Sequence, residues 1–176
     1  MPTNGVDTIL LCVFGCLNGC PIKFLIDSGA RECFVDIAFT EKNGLKLTKT
    51  KEKLKIHLAD RTVHVYSWVI KQGCVIMGDH AEFLDFLVLK LPKYDAILGK
   101  AWLDRWNPVI DWKKHSMQWK VGSRLIAVIG EQNPQNSESV SSIFQNRCTV
   151  TQSSAQRIRK LAKNRISIFG SGQNNE

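Results

Sequence analysis

"KFLIDSGA" (residues 23–30) is an apolar run that ends abruptly in an acid, a hydroxyl and a glycine. A carboxylate at the end of a fully buried strand is costly unless it is paired, hydrogen-bonded or protonated. Asp27 is therefore either a turn residue at a strand end or an acid whose burial belongs to its chemistry. The residues around it fit the second reading. Gly29 allows a sharp turn without a Cβ clash, and the Ser28 hydroxyl can bridge backbone groups there. Burial and a like charge nearby would raise the pKa of a carboxyl at this place.

Asp-Ser-Gly alone is weak evidence, and its context strengthens it. Ala30 follows, and a second apolar-apolar-glycine element, "AILG" (96–99), comes about seventy residues later. One carboxylate cannot be acid and base in the same step. A chain with a single such motif must find its second carboxylate elsewhere or in another copy of itself, and a two-fold homodimer brings residue 27 of each subunit to its twin.

The 176 residues are 44% hydrophobic and 23% charged, which suits one globular domain with an appendage. The longest apolar runs, such as "TILLCVFGCL" (8–17), are too short to cross a bilayer as a helix, so no membrane partner is expected. Asp7 and the lack of a basic segment before that run argue against a signal peptide, giving the expectation of a cytoplasmic, non-secreted protein. Six cysteines lie at 12, 16, 20, 33, 74 and 148 without zinc-finger spacing, so no metal or other cofactor is expected. They are read as small apolar residues of a reducing compartment.

Strand signals dominate the first two-thirds. "TILLCVFGCL" and "CPIKFLID" flank Asn18-Gly19, the dipeptide that most readily forms a type I′ hairpin turn. "CFVDIAF" (33–39) reads as a strand, and "LKIHLADRTVHVYSWVI" (54–70) as a long hairpin around Ala59-Asp60-Arg61. "CVIMG" and "EFLDFLVLKL" add strands, "AWLDRW" (101–106) a short helix, and "NPVIDW" with "SMQWKV" another hairpin. From about Glu131 the composition turns polar, which predicts a linker over 129–150. "SSAQRIRKLAKN" (153–164) then predicts a basic helix with an Ala155, Ile158, Leu161, Ala162 stripe, within a tail over 151–176.

Several of these segments share one pattern. "FLIDSGA" followed by "FVD", the hairpin around "LADRT", and "DFLVLKLPKYDAILGKAWLDRWNPVIDWKKHSMQW" together resemble a retropepsin, and more narrowly the protease of gypsy-like LTR retrotransposons (Metaviridae). The resemblance covers roughly residues 8 to 125, and "SSAQRIRKLAKN" is similar to a segment that follows the protease in such polyproteins. It implies an all-β, retropepsin-like closed barrel with one short helix over residues 6–128, acting as a homodimeric aspartic endopeptidase.

In that reading the two copies of Asp27 hold one proton and a water between them. Ser28 locks the two motifs at the dimer axis, and Gly29 and Ala30 hold substrate backbone. Ala59, Asp60 and Arg61 form the flap tip over a polypeptide substrate, the chain's own polyprotein. Ile97, Leu98 and Gly99 pack beneath the active-site loop. The resemblance further implies virus-like particles as a setting.

Two positions depart from the pattern. Arg31 and Glu32 stand where relatives carry a small residue, often Thr; Arg31 either favours the ionised dyad, is cancelled by Glu32, or points to solvent. Arg61 stands where the flap tip usually has glycine, so a turn with positive φ is harder there. The alternative function is a catalytically silent, domesticated or decayed domain that serves as a dimerisation or binding module. Nucleic acid is a second class of partner, through Arg157, Arg159, Lys160 and Lys163, although a solvated helix face accounts for those charges more simply. The five tryptophans lie at 68–119 instead, where packing explains them.

Overall fold

A computed structural model describes residues 9–57, 63–132 and 148; for 52–54, 56, 57 and 64 it describes the backbone only. The first hairpin joins β1 (Cys12–Leu17) to β2 (Cys20–Ile26), with Leu17 opposite Cys20. Asn18 (φ 50°) and Gly19 (φ 84°) both adopt the positive φ that a type I′ turn requires. Asn18 is also bound to β5 (Val63–Met77). Its N–H donates to the Cys74 carbonyl at 2.8 Å, and its Oδ1 accepts from the Cys74 N–H at 2.9 Å.

After β2 comes β3 (Phe34–Asp36), which stops where a longer strand is expected. Asp36 caps helix α1 (Ile37–Lys42): its Oδ2 accepts from the Phe39 N–H at 3.2 Å, and its Oδ1 from the Leu91 N–H at 2.7 Å. "CFVDIAF" thus splits into strand and helix because an aspartate in mid-run satisfies first-turn donors. The short helix expected at 101–106 is α2 (Lys100–Trp106), and α1 is a further short helix.

β4 (Thr48–His57) pairs antiparallel with β5, and β5 with β6 (His80–Leu89), with a register shift between Ile70 and Gly73. β7 (Ala96–Leu98) runs parallel to β2 and antiparallel to β3. The strand order β1-β2-β7-β3-β6-β5 closes on itself, because Cys16 and Leu17 of β1 also pair with Ile76 and Val75 of β5. The result is a closed six-stranded barrel with β4 attached outside the ring. At the seam only a glycine fits, since a Cβ on Gly15 would stand 2.5 Å from the Ile76 carbonyl oxygen. A three-stranded sheet of β8 (Val109–Asp111), β9 (Ser116–Val121) and β10 (Arg124–Ile129) follows α2. The last of these strands goes beyond the expected elements.

The barrel is filled by Val13, Leu17, Phe24, Val35, Ile70, Val75, Phe86, Ala96 and Leu98, with Trp102 of α2 packed against them. Each large apolar side chain so buried contributes about 1.5–3 kcal/mol of transfer free energy. Beyond β10 the chain stays on the barrel, where the Glu131 N–H donates to the Cys12 carbonyl at 2.7 Å and Glu131 Oε2 meets Lys23 Nζ at 3.1 Å.

One expectation about the cysteines changes. Cys16 and Cys148 are joined in a disulfide, so these two are not simple apolar fillers. Their Cα atoms lie 5.8 Å apart, a separation that such a bond spans without distortion. Cys12, Cys20 and Cys33 are free thiols, and burial pushes Cys12 and Cys33 up to about 11. The flap tip (59–61), most of the expected linker and the basic helix (153–164) lie outside the described residues.

Candidate active site

The loop that follows β2 is fastened from behind. Leu25 and Ile26 pair in parallel with Ile97 and Leu98, and the Asp27 N–H continues that ladder by donating to the Leu98 carbonyl at 3.2 Å. The Ala30 N–H returns to the Asp27 carbonyl at 3.3 Å, closing the turn. Next, the first amides of α2 take up loop carbonyls: Lys100 N–H donates to Ala30 at 2.7 Å, and Ala101 N–H to Arg31 at 3.0 Å. These are donors that a helix start leaves unsatisfied, so helix and loop complete each other.

Asp27 answers the puzzle of its sequence. The strand leading to it is buried at Phe24, Leu25 and Ile26, but the carboxylate itself emerges half-buried, and Ser28 and Gly29 are exposed. Asp27 Oδ1 accepts from the Gly29 N–H at 2.8 Å. The carboxylate itself, rather than the Ser28 hydroxyl, bridges this turn. Among the described residues no side chain donates a hydrogen bond to Asp27 or ion-pairs with it. Nearby, burial pushes the Tyr94 hydroxyl up, helped by the charges of Cys12 and Asp27 and opposed by Lys23.

Of the open positions for Arg31, the structure places its side chain in solvent, 92% exposed, with Nε 3.8 Å from Glu32 Oε1. Ile97 and Leu98 pair with Leu25 and Ile26, and Gly99 lies against the Ala30 and Glu32 carbonyl oxygens. The strands β4 and β5 rise toward Ala59, Asp60 and Arg61, whose own placement is outside the described residues. Among the described residues no cluster of His, Cys, Asp or Glu is arranged to hold a metal ion.

A second acidic centre, unmarked in the sequence reading, supports the site from below. Glu82 of β6 is buried, and its Oε1 accepts from Trp102 Nε1 at 2.7 Å. Trp106 Nε1 lies 3.1 Å from both carboxylate oxygens, His80 Nε2 3.1 Å from Oε1, and Arg105 3.5 Å from Oε2. Burial alone would push Glu82 up. The hydrogen bonds from His80, Trp102 and Trp106 outweigh it and hold the carboxyl below the usual glutamate range. The cluster pins α2, whose first turn holds the Asp27 loop. Its signal was present in phase: His80 and Glu82 share the buried face of β6 with Leu84, Phe86 and Val88.

A closed six-stranded barrel with an Asp-Ser-Gly-Ala loop laid over an Ile-Leu-Gly strand defines a retropepsin-like aspartic protease domain. A family model described as the PEG10/RTL1 protease domain matches residues 23–123, more than half of the chain, and the chain belongs to that family. Among solved structures, the retroviral protease-like domain of Ddi1 from Leishmania major shares the fold. It has a TM-score of 0.52 and 19% identity, over 71% of this chain and 96% of that one. EIAV protease complexed with the inhibitor HBY-793 aligns with a TM-score of 0.45 and 15% identity over 58% and 92% of the two chains. A retropepsin-like aspartic protease from Rickettsia conorii aligns with a TM-score of 0.44 and 20% identity over 66% and 80%.

Proposed function

We propose that this chain is an aspartic endopeptidase that works as a homodimer, with one Asp27 from each copy forming the catalytic pair. The observation that carries the reading is the isolation of Asp27: a carboxylate at the rim of a rigid loop, held by the Gly29 N–H alone among the described residues. Two such rims facing across a two-fold axis supply the acid and base that a single Asp27 cannot supply in one step. The pair titrates as a unit and shares a single proton. The ionised carboxylate takes a proton from the bound water as its oxygen attacks the peptide carbonyl carbon. The protonated one donates to the carbonyl oxygen, and collapse of the tetrahedral intermediate sends a proton to the departing nitrogen.

In this reading Ser28 meets its twin at the axis, and Gly29 and Ala30 hold substrate backbone. Ala59, Asp60 and Arg61 close over the peptide and exclude water. The domain spans 6–128, and its source is a gypsy-like LTR retrotransposon polyprotein that it cleaves in the cytoplasm or within virus-like particles. The test is cleavage of hydrophobic peptides at mildly acidic pH as a function of protein concentration, with and without a statine-type inhibitor. Activity that rises more steeply than the first power of concentration and is abolished by the inhibitor supports the reading. Binding of partners without any turnover supports the silent module instead.

A further inference from the structure

Cys16 and Cys148 are 132 residues apart in sequence, yet 2% and 1% exposed and bonded to each other. Strand periodicity sets the direction of Cys16. Val13 and Leu17 of β1 are in the core, so Cys16 is out of phase with them and faces the outside of the barrel. Neither Cys16 nor Cys148 belongs to the core cluster, and the barrel closes at the same point through the β1–β5 ladder, Cys16 opposite Ile76 and Leu17 opposite Val75. The crosslink is thus not what closes the barrel. It attaches something to it.

What it attaches is the chain at Cys148, 132 residues further along the sequence. Glu131 is bound to β1 at Cys12, and Cys148 meets the same strand again at Cys16. Cys16 pairs with Pro21, six residues along β2 from Asp27, or roughly 20 Å away at strand rise. The crosslink lies at the end of the strand remote from the loop, and the chain after Cys148 carries the basic stretch with Arg157, Arg159, Lys160 and Lys163.

We propose that Cys16 and Cys148 are a reversible thiol–disulfide pair, which ties Cys148 covalently to the outer wall of the barrel when oxidised and separates into two thiols when reduced. The oxidant is a low-molecular-weight disulfide such as glutathione disulfide. One protein thiolate attacks a glutathione sulfur and expels a glutathione thiolate, forming a mixed disulfide. The second protein thiolate attacks the protein sulfur of that mixed disulfide and expels the second glutathione. Two protein thiols lose two electrons and two protons, and one glutathione disulfide becomes two molecules of glutathione. Excess glutathione reverses both steps. Cys12 and Cys33 stay out of the exchange because burial keeps them protonated.

The test uses the full chain equilibrated in glutathione buffers of graded ratio, quenched by alkylation and run on a non-reducing denaturing gel. The oxidised chain, closed into a large loop, migrates faster than the reduced chain. Cys16→Ser and Cys148→Ser each abolish the faster band, and Cys20→Ser keeps it. Tandem mass spectrometry finds the Cys16–Cys148 link, and circular dichroism finds the barrel folded in both states. Alkylation of both residues in disulfide-rich buffer would overturn the proposal, as would pairing of either with Cys20 or Cys74. Unfolding of the barrel on reduction would also overturn it, by making the bond a structural staple.

Discussion

Gly99 lies so close beneath Ala30 that a Cβ on it would stand 2.5 Å from the Ala30 carbonyl oxygen and 2.2 Å from that of Glu32. Both obstacles are backbone, and the Ala30 oxygen is already held by the Lys100 N–H. Neither can move without moving the Asp27 loop. Gly99→Ala is therefore expected to destabilise the fold by about 1–3 kcal/mol, as overpacking does, and to abolish peptidase activity. Thermal denaturation and a peptide-cleavage assay check this. An alanine variant with unchanged melting temperature and activity would show that the loop is not clamped from below.

Glu82 makes a second prediction, through acid stability. The folded state holds this carboxyl below the usual range, so its contribution is complete above the unfolded-state value and is lost as pH falls through the folded value. Over that window the unfolded chain binds more protons, and stability rises with pH. Glu82→Gln leaves buried indole N–H groups poorly matched, which costs about 1–3 kcal/mol at neutral pH. The variant should also show a shallower fall in stability with acid. Denaturant titrations at several pH values measure both, and parallel curves for the two proteins would remove the carboxylate's role.

Arg31 should matter little. Its side chain is 92% exposed, and its 3.8 Å approach to Glu32 is a surface ion pair. Such pairs are worth about 0–1 kcal/mol. Arg31→Ala is expected to change stability by less than about 0.5 kcal/mol and to leave the pH profile of cleavage in place. A displaced pH optimum in the variant would mean that the guanidinium reaches the dyad.

Dimerisation should persist without catalysis. Asp27→Asn removes the charge but keeps the shape of the loop, so sedimentation at tens of micromolar should find dimers in both proteins. Exclusive monomer in the wild type would contradict the shared site.

Much of the barrel was legible because its strands obey short-range rules. Asn18-Gly19 carried the first hairpin, and the family resemblance carried by "FLIDSGA" and "AILG" implied the packing of one beneath the other. What was not legible required knowledge of partners distant in sequence. Asp36 ends a strand because its carboxylate meets the amides of Phe39 and Leu91, and the second of these is 55 residues away. Glu82 looked like an ordinary acid in an alternating strand, and only the approach of Trp102 and Trp106 from α2 explains its burial. Nothing in the cysteine spacing announced that Cys148 would meet Cys16.

The central claim is that the Asp27 pair does the chemistry, and it is tested most directly by assaying wild type and Asp27→Asn side by side on a hydrophobic peptide. The assay should span several pH values and protein concentrations. The account predicts cleavage by the wild type near mildly acidic pH and none by the variant at any concentration. Equal cleavage by Asp27→Asn would contradict it.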